Sequence, residues 1–126
     1  MQDVDLLISY SIFTHSSHEL TRNILDRWAE VLTPGGVAAF TIRPGTFLQG
    51  SESEMAIFTP EERRGLVDQY KSGRLIYKPY PGDKHWGVTV MPQAYLEEQI
   101  DGRFEYLGSR FQFQTWNQLV VFIRRI

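Results

Sequence analysis

The chain contains no cysteine in its 126 residues. Disulfides, thiol catalysis and every cysteine-ligated zinc or iron–sulfur site are therefore excluded. It also lacks a basic excess. Thirteen Lys and Arg stand against fifteen Asp and Glu, a net charge of −2, so nothing supplies the phosphate term on which nucleic-acid and anionic-membrane binding rest. Neither partner is expected. Long apolar runs are missing too: the longest, residues 119–123, has five residues, where a transmembrane helix needs about 20. The start Met1-Gln2-Asp3-Val4-Asp5 is acidic and has no basic region of the kind that opens a secretory signal. A cytoplasmic location is the expectation. What is present, 42% hydrophobic and 22% charged residues, is globular composition, and the length allows one domain.

Residues 4–11 read as a strand, with Leu6-Leu7-Ile8 apolar without alternation, as in a parallel strand covered on both faces. Ser16 followed by Glu19 has the spacing of a capping box. Behind it Leu20, Ile24, Trp28 and Leu32 recur every four residues, with Leu25 and Val31 widening the stripe, which predicts an amphipathic helix. Thr33-Pro34-Gly35-Gly36 stops that helix. Residues 37–42 form a second apolar strand. Strand, helix, strand is a βαβ unit, so the class is α/β with a parallel pair at its centre.

Residues 44–90 have a different character and read as an insertion. They carry six aromatics: Phe47, Phe58, Tyr70, Tyr77, Tyr80 and Trp86. Residues 44–58 are polar and Gly/Ser/Glu-rich, and are expected to be the most mobile internal stretch. Thr59-Pro60-Glu61-Glu62 predicts a helix start, with the helix running to Gly73 on the surface. Two prolines, Pro79 and Pro81, keep residues 77–82 out of a central strand. Residues 87–90 suggest a short strand and 92–100 a short helix. Residues 104–113 and 119–125 are two strands, and the segment 114–118 is short enough to join them as an antiparallel hairpin.

Three stretches now stand together: Asp5-Leu6-Leu7-Ile8-Ser9-Tyr10-Ser11-Ile12-Phe13-Thr14-His15, Val31-Leu32-Thr33-Pro34-Gly35-Gly36-Val37, and Gln118-Leu119-Val120-Val121. Their order resembles the C-terminal half of a class I S-adenosylmethionine-dependent methyltransferase. In that family an aspartate opens the fourth strand, a leucine-x-proline-glycine-glycine turn leads into the fifth, and the chain closes on a reversed pair. The resemblance implies a partial Rossmann-like fold and methyl transfer to a small-molecule or glycan-type acceptor. The family's glycine-rich turn, which lets backbone approach the cofactor, has no counterpart here, because no G-x-G-x-G occurs. Neither does the acidic residue that holds the ribose hydroxyls. Weak or no S-adenosylmethionine binding and little activity are therefore expected of this chain alone.

Ligands of open parallel sheets bind at the strand C-terminal ends. The resemblance then implies Tyr10 and Ser11 as cofactor contacts and His15 as a general base, since an imidazole titrates near neutral pH. Methyl transfer also proceeds by positioning alone, without a base. Phe13, Arg43, His85 and Trp86 are the acceptor-side candidates, with residues 44–90 as a lid. The competing reading makes Tyr10 and Phe13 core residues, His15 loop packing, and Trp86 part of the main core. No metal site is expected. A different class of function remains open, a non-catalytic interaction module or enzyme remnant. Without a neighbouring strand, Leu6-Leu7-Ile8 would be a sheet edge, and such edges recruit another strand. The expected partners are a second copy or a complementary N-terminal half.

Overall fold

The computed structural model describes residues 3–49, 53–111 and 118–126. Its elements are β1 (Val4–Ser9), α1 (His18–Val31), β2 (Leu32–Ile42), 3-10 turns at Gly45–Gln49 and Ser53–Ile57, α2 (Pro60–Arg63), α3 (Leu66–Lys71), β3 (Ile76–Pro79), β4 (Gly87–Val90), α4 (Gln93–Ile100), β5 (Phe104–Phe111) and β6 (Leu119–Arg125). Four strands make the main sheet in the order β1-β2-β6-β5. β1 and β2 are parallel, and β6 pairs antiparallel with both β2 and β5. The chain is thus mixed α/β with a mixed sheet, and the expected parallel pair and terminal antiparallel hairpin are both present. The proposed joint 114–118 lies, apart from Gln118, outside the described residues.

The pleat sorts the sheet into two unlike faces. Ala38, Phe40, Ile42, Val121, Ile123 and Phe104 point to one side and are buried beneath Leu25, Trp28 and Ala29 of α1 and Tyr95, Leu96 and Ile100 of α4. Phe13, Trp28 and Phe40 form an aromatic cluster there, with ring centroids 5.1–5.4 Å apart. The other side carries Leu6 and Ile8 of β1, exposed by 59 and 74%, with Tyr10, 58% exposed, just past the strand, beside the half-buried Val37, Ala39, Val120 and Phe122. Two-sided cover for β1 was expected. Of the run Leu6-Leu7-Ile8, Leu7 alone packs against the core, with Val4 beside it at the strand's start.

Three local readings are corrected. The N-cap of α1 is Ser17, whose hydroxyl accepts from Leu20 N–H, while Ser16 is buried and its hydroxyl meets Thr21 Oγ1 at 2.7 Å. The buried stripe of α1 is Thr21, Leu25, Trp28 and Ala29, with Leu20 and Ile24 only half-buried at its margin. β2 begins at Leu32, which pairs with Val4 across a register shift, so the glycine turn is part of the strand's irregular start. Gly35 takes a φ of 85°, open to glycine at little cost.

The insertion builds a second core from Phe47, Met55, Phe58, Leu66, Ile76, Val88 and Val90. Three of these lie in the stretch 44–58, which sequence composition alone presented as polar. The helix expected over 59–73 is broken at Gly65 into α2 and α3. Its start is as expected: Thr59 caps Glu62 N–H and the Glu62 carboxylate returns to Thr59 N–H. The proline-bearing β3 pairs with β4 in a separate two-stranded ribbon, where Pro79 stands at the strand's end and removes no interior ladder bond.

Candidate functional site

The insertion joins the main sheet at the C-terminal ends of β1 and β2. Backbone bonds run from Gly87 N–H to the His15 carbonyl, from Thr89 N–H to that of Thr14, and from Met91 N–H to that of Arg43, at 2.8–3.0 Å. The ribbon therefore lies as a third strand-like layer against the loop after β1. Ser16 and Trp86 form an isolated antiparallel bridge there.

At the head of this loop Ser11 has φ 57°, the one non-glycine residue with positive φ among the described residues. A serine held in the left-handed region stores strain that surrounding bonds must hold. Its N–H donates to Thr41 Oγ1 at 2.7 Å, and its hydroxyl sits 3.1 Å from Gln118 Nε2. The ends of β1, β2 and β6 are thus tied by Ser11, Thr41 and Gln118. Tyr10 precedes this turn with its ring exposed.

His15 stands at the centre of the junction. Arg43 Nη2 lies 3.3 Å from His15 Nε2, and His15 Nδ1 lies 2.9 Å from both the Gly87 carbonyl and Tyr80 Oη. A guanidinium only donates, so Nε2 accepts and the ring proton belongs on Nδ1, shared between Gly87 and Tyr80. Arg43 is 3% exposed and stacks its guanidinium 4.8 Å from the centre of the Phe47 ring. One buried cation thereby links the loop after β1 to the second core. Next to it Thr14 Oγ1 is buried without a hydrogen-bond partner among the described residues, an arrangement that costs free energy unless a further group answers it.

The sequence candidates separate into three groups. Tyr10, Ser11, His15 and Arg43 are gathered at the strand ends. His85 and Trp86 join them from the ribbon: the His85 ring is 3.3 Å from the Ser17 hydroxyl, and Trp86 is 39% exposed, outside the main core. Phe13 is apart from them, 1% exposed within the aromatic cluster, and its ring has no surface for a ligand to meet. Sequence reasoning did not single out Tyr80, Thr41 or Gly87 as site residues. The Tyr80-Pro81-Gly82 turn between two strand-like runs was the available signal for Tyr80. Burial, followed by the nearby Asp83, pushes the Tyr77 phenol up, keeping it protonated as it donates to the Lys84 carbonyl at 3.2 Å.

A concavity of about 490 Å³ lies elsewhere, between α1 and α4, lined by His18, Arg22, Asp26, Glu98, Asp101 and Arg103. Arg103 pairs with Asp26 across it. Tyr95 donates or accepts at His18 Nδ1 over 2.6 Å, and burial pushes its phenol up to about 12. No group of three metal-ligating side chains occurs among the described residues, and no helix among them is long and apolar enough to cross a membrane. No protein-family model matches the chain, and no curated protein matches it.

Proposed function

We propose that this chain forms the acceptor-side half of a Rossmann-like, S-adenosylmethionine-dependent methyltransferase acting on a small-molecule or glycan-type acceptor. The observation that carries the reading is the sheet: a parallel β1–β2 pair joined by α1, then an antiparallel β5–β6 hairpin returning to close it. That is the arrangement the resemblance implies for the last four strands of the family. The strained Ser11 at the end of β1 and the polar cluster beside it support a ligand site there.

By themselves these residues do not fit the whole cofactor. The described strand ends bring a phenol, hydroxyls and a guanidinium together, with no glycine-rich turn and no carboxylate for ribose hydroxyls. The part of this chain is to hold the acceptor. Tyr10 and Trp86 offer exposed apolar rings to a flat or sugar-like molecule, and Tyr80 and His15 offer polar atoms to orient it. A base role for His15 requires the acceptor hydroxyl to replace Arg43 at Nε2, because that lone pair already faces the guanidinium. Orientation without a base is the simpler reading of this geometry.

The test is an amide NMR titration with S-adenosylmethionine to about 1 mM, roughly −4 kcal/mol of affinity. Weak shifts confined to residues 10–15 and 41–43 support the reading. Micromolar affinity, or shifts gathered in the groove between α1 and α4, overturns it. A second reading, a non-catalytic interaction module, is favoured by one observation, the exposed β1.

A further inference from the structure

The main sheet has two edges, and they differ. The β5 edge is guarded. It carries Glu105 and Arg110, and a register shift between Tyr106 and Gly108 bends it, with Gly108 at φ 144°. Charges and bulges of this kind keep edges from pairing with other strands. Among the described residues β1, the other edge, pairs with β2 alone. It has no lysine, arginine or proline, and Asp5 is its one charge. Leu6 and Ile8 stand out from it, 59 and 74% exposed.

We propose that β1 pairs antiparallel with β1 of a second copy of this chain, across a two-fold axis through Leu7, so that four strands from each copy form one continuous sheet. This goes beyond the methyl-transfer reading and does not depend on it. The sequence of β1 complements itself in this register. Leu6 faces Ile8 of the partner, and Asp5 faces a serine hydroxyl, Ser9. The two Asp5 carboxylates stand at opposite ends of the pairing, about 14 Å apart at the usual strand rise. In-register parallel pairing would set Asp5 against Asp5, which costs free energy. A two-fold perpendicular to the sheet also keeps both helix-covered faces on one side. Leu7, which packs against the main core, then meets its own copy and joins the two cores. Such an interface is isologous and closes at two copies.

Sedimentation equilibrium over a wide concentration range tests the association, and a single introduced cysteine tests the register, since the chain has no cysteine of its own. The Leu7→Cys variant is expected to form a disulfide-linked dimer under oxidised glutathione, while Ser9→Cys is not, because Ser9 faces Asp5. Ile8→Lys is expected to weaken dimerisation at least about tenfold, with an unchanged circular dichroism spectrum showing that the fold persists. Because Ile8 is exposed, this variant separates lost pairing from lost folding. A chain that stays monomeric at high concentration overturns the proposal. So does a dimer indifferent to Ile8→Lys, or one that cross-links through Ser9→Cys alone. Ready capture of a different added strand by a monomeric chain would identify the occupant as another segment and would equally defeat self-pairing.

Discussion

Replacing Gly87 with alanine should uncouple the ribbon from the site. Gly87 is buried in β4 opposite Pro79. A Cβ built there would land on the Lys78 carbonyl oxygen and 2.6 Å from Pro79 Cα. Both are backbone atoms and cannot rotate away. The ribbon must open, and overpacking of this kind costs about 1–3 kcal/mol. Opening also strains two bonds at the same point, Gly87 N–H to His15 and Tyr80 N–H to the Trp86 carbonyl, worth about 1 kcal/mol each. The expected total is about 3–5 kcal/mol, or a fall in Tm of roughly 10–20 °C for a chain of this length. Urea unfolding followed by circular dichroism measures it. Gly65→Ala is the control, because a Cβ at Gly65 meets nothing within 4 Å, and its stability should stay within about 0.5 kcal/mol. A Gly87→Ala protein as stable as that control would refute the close approach on which the junction depends.

Nitrogen-15 NMR should find His15 in the Nδ1–H form, and Arg43→Met should keep it there, because the Gly87 carbonyl still accepts from Nδ1; an Nε2–H ring in the parent chain would contradict the Arg43 contact. Ser17→Ala should destabilise α1 by about 1 kcal/mol through loss of its cap, whereas Glu19→Ala should be nearly neutral in thermal melts, the reverse of what a Ser16–Glu19 box requires. Tyr95 should titrate near about 12 in the folded chain against 10.0 as its ordinary value. The unfolded state then loses its phenolic proton first, so stability is intact below pH 10 and falls as pH rises toward 12. An ultraviolet titration of the parent minus Tyr95→Phe isolates this group, and a midpoint near 10 would show the ring to be hydrated.

The parallel pair, α1 and the terminal hairpin were legible because their apolar residues recur with clean periods, and because Pro34-Gly35-Gly36 punctuates them. The cap of α1 was misread by one residue because Ser16 and Ser17 are equivalent as sequence; what separates them is that the ribbon buries Ser16 against Thr21. Phe13 looked like a site residue from its place after β1, yet its ring turns inward to Trp28 and Phe40. The second core was hidden for a different reason. Phe47, Met55 and Phe58 are too sparse among polar residues to announce a helix face, and 3-10 turns bring them together. Arg63 donates to the carbonyls of Phe58 and Met55 and closes those turns, a role that nothing in its local sequence announces. The His15–Tyr80 contact spans 65 residues, and no local pattern encodes it.

Of the described strands, β6 comes latest in sequence and yet sits in the interior of the sheet, between β2 and β5. Everything before it can emerge from the ribosome and still lack the complete four-stranded sheet, because among the described strands β5 pairs with β6 and not with β1 or β2. Assembly is therefore governed by contacts distant in sequence, such as Val37 with Arg124, which slow folding. Loss of the final residues would remove a spine rather than a tail, leaving β2 and β5 each with an open edge. A short C-terminal truncation should consequently behave as an unfolded, aggregation-prone chain, while a tag appended after Ile126, which is 64% exposed, should be tolerated.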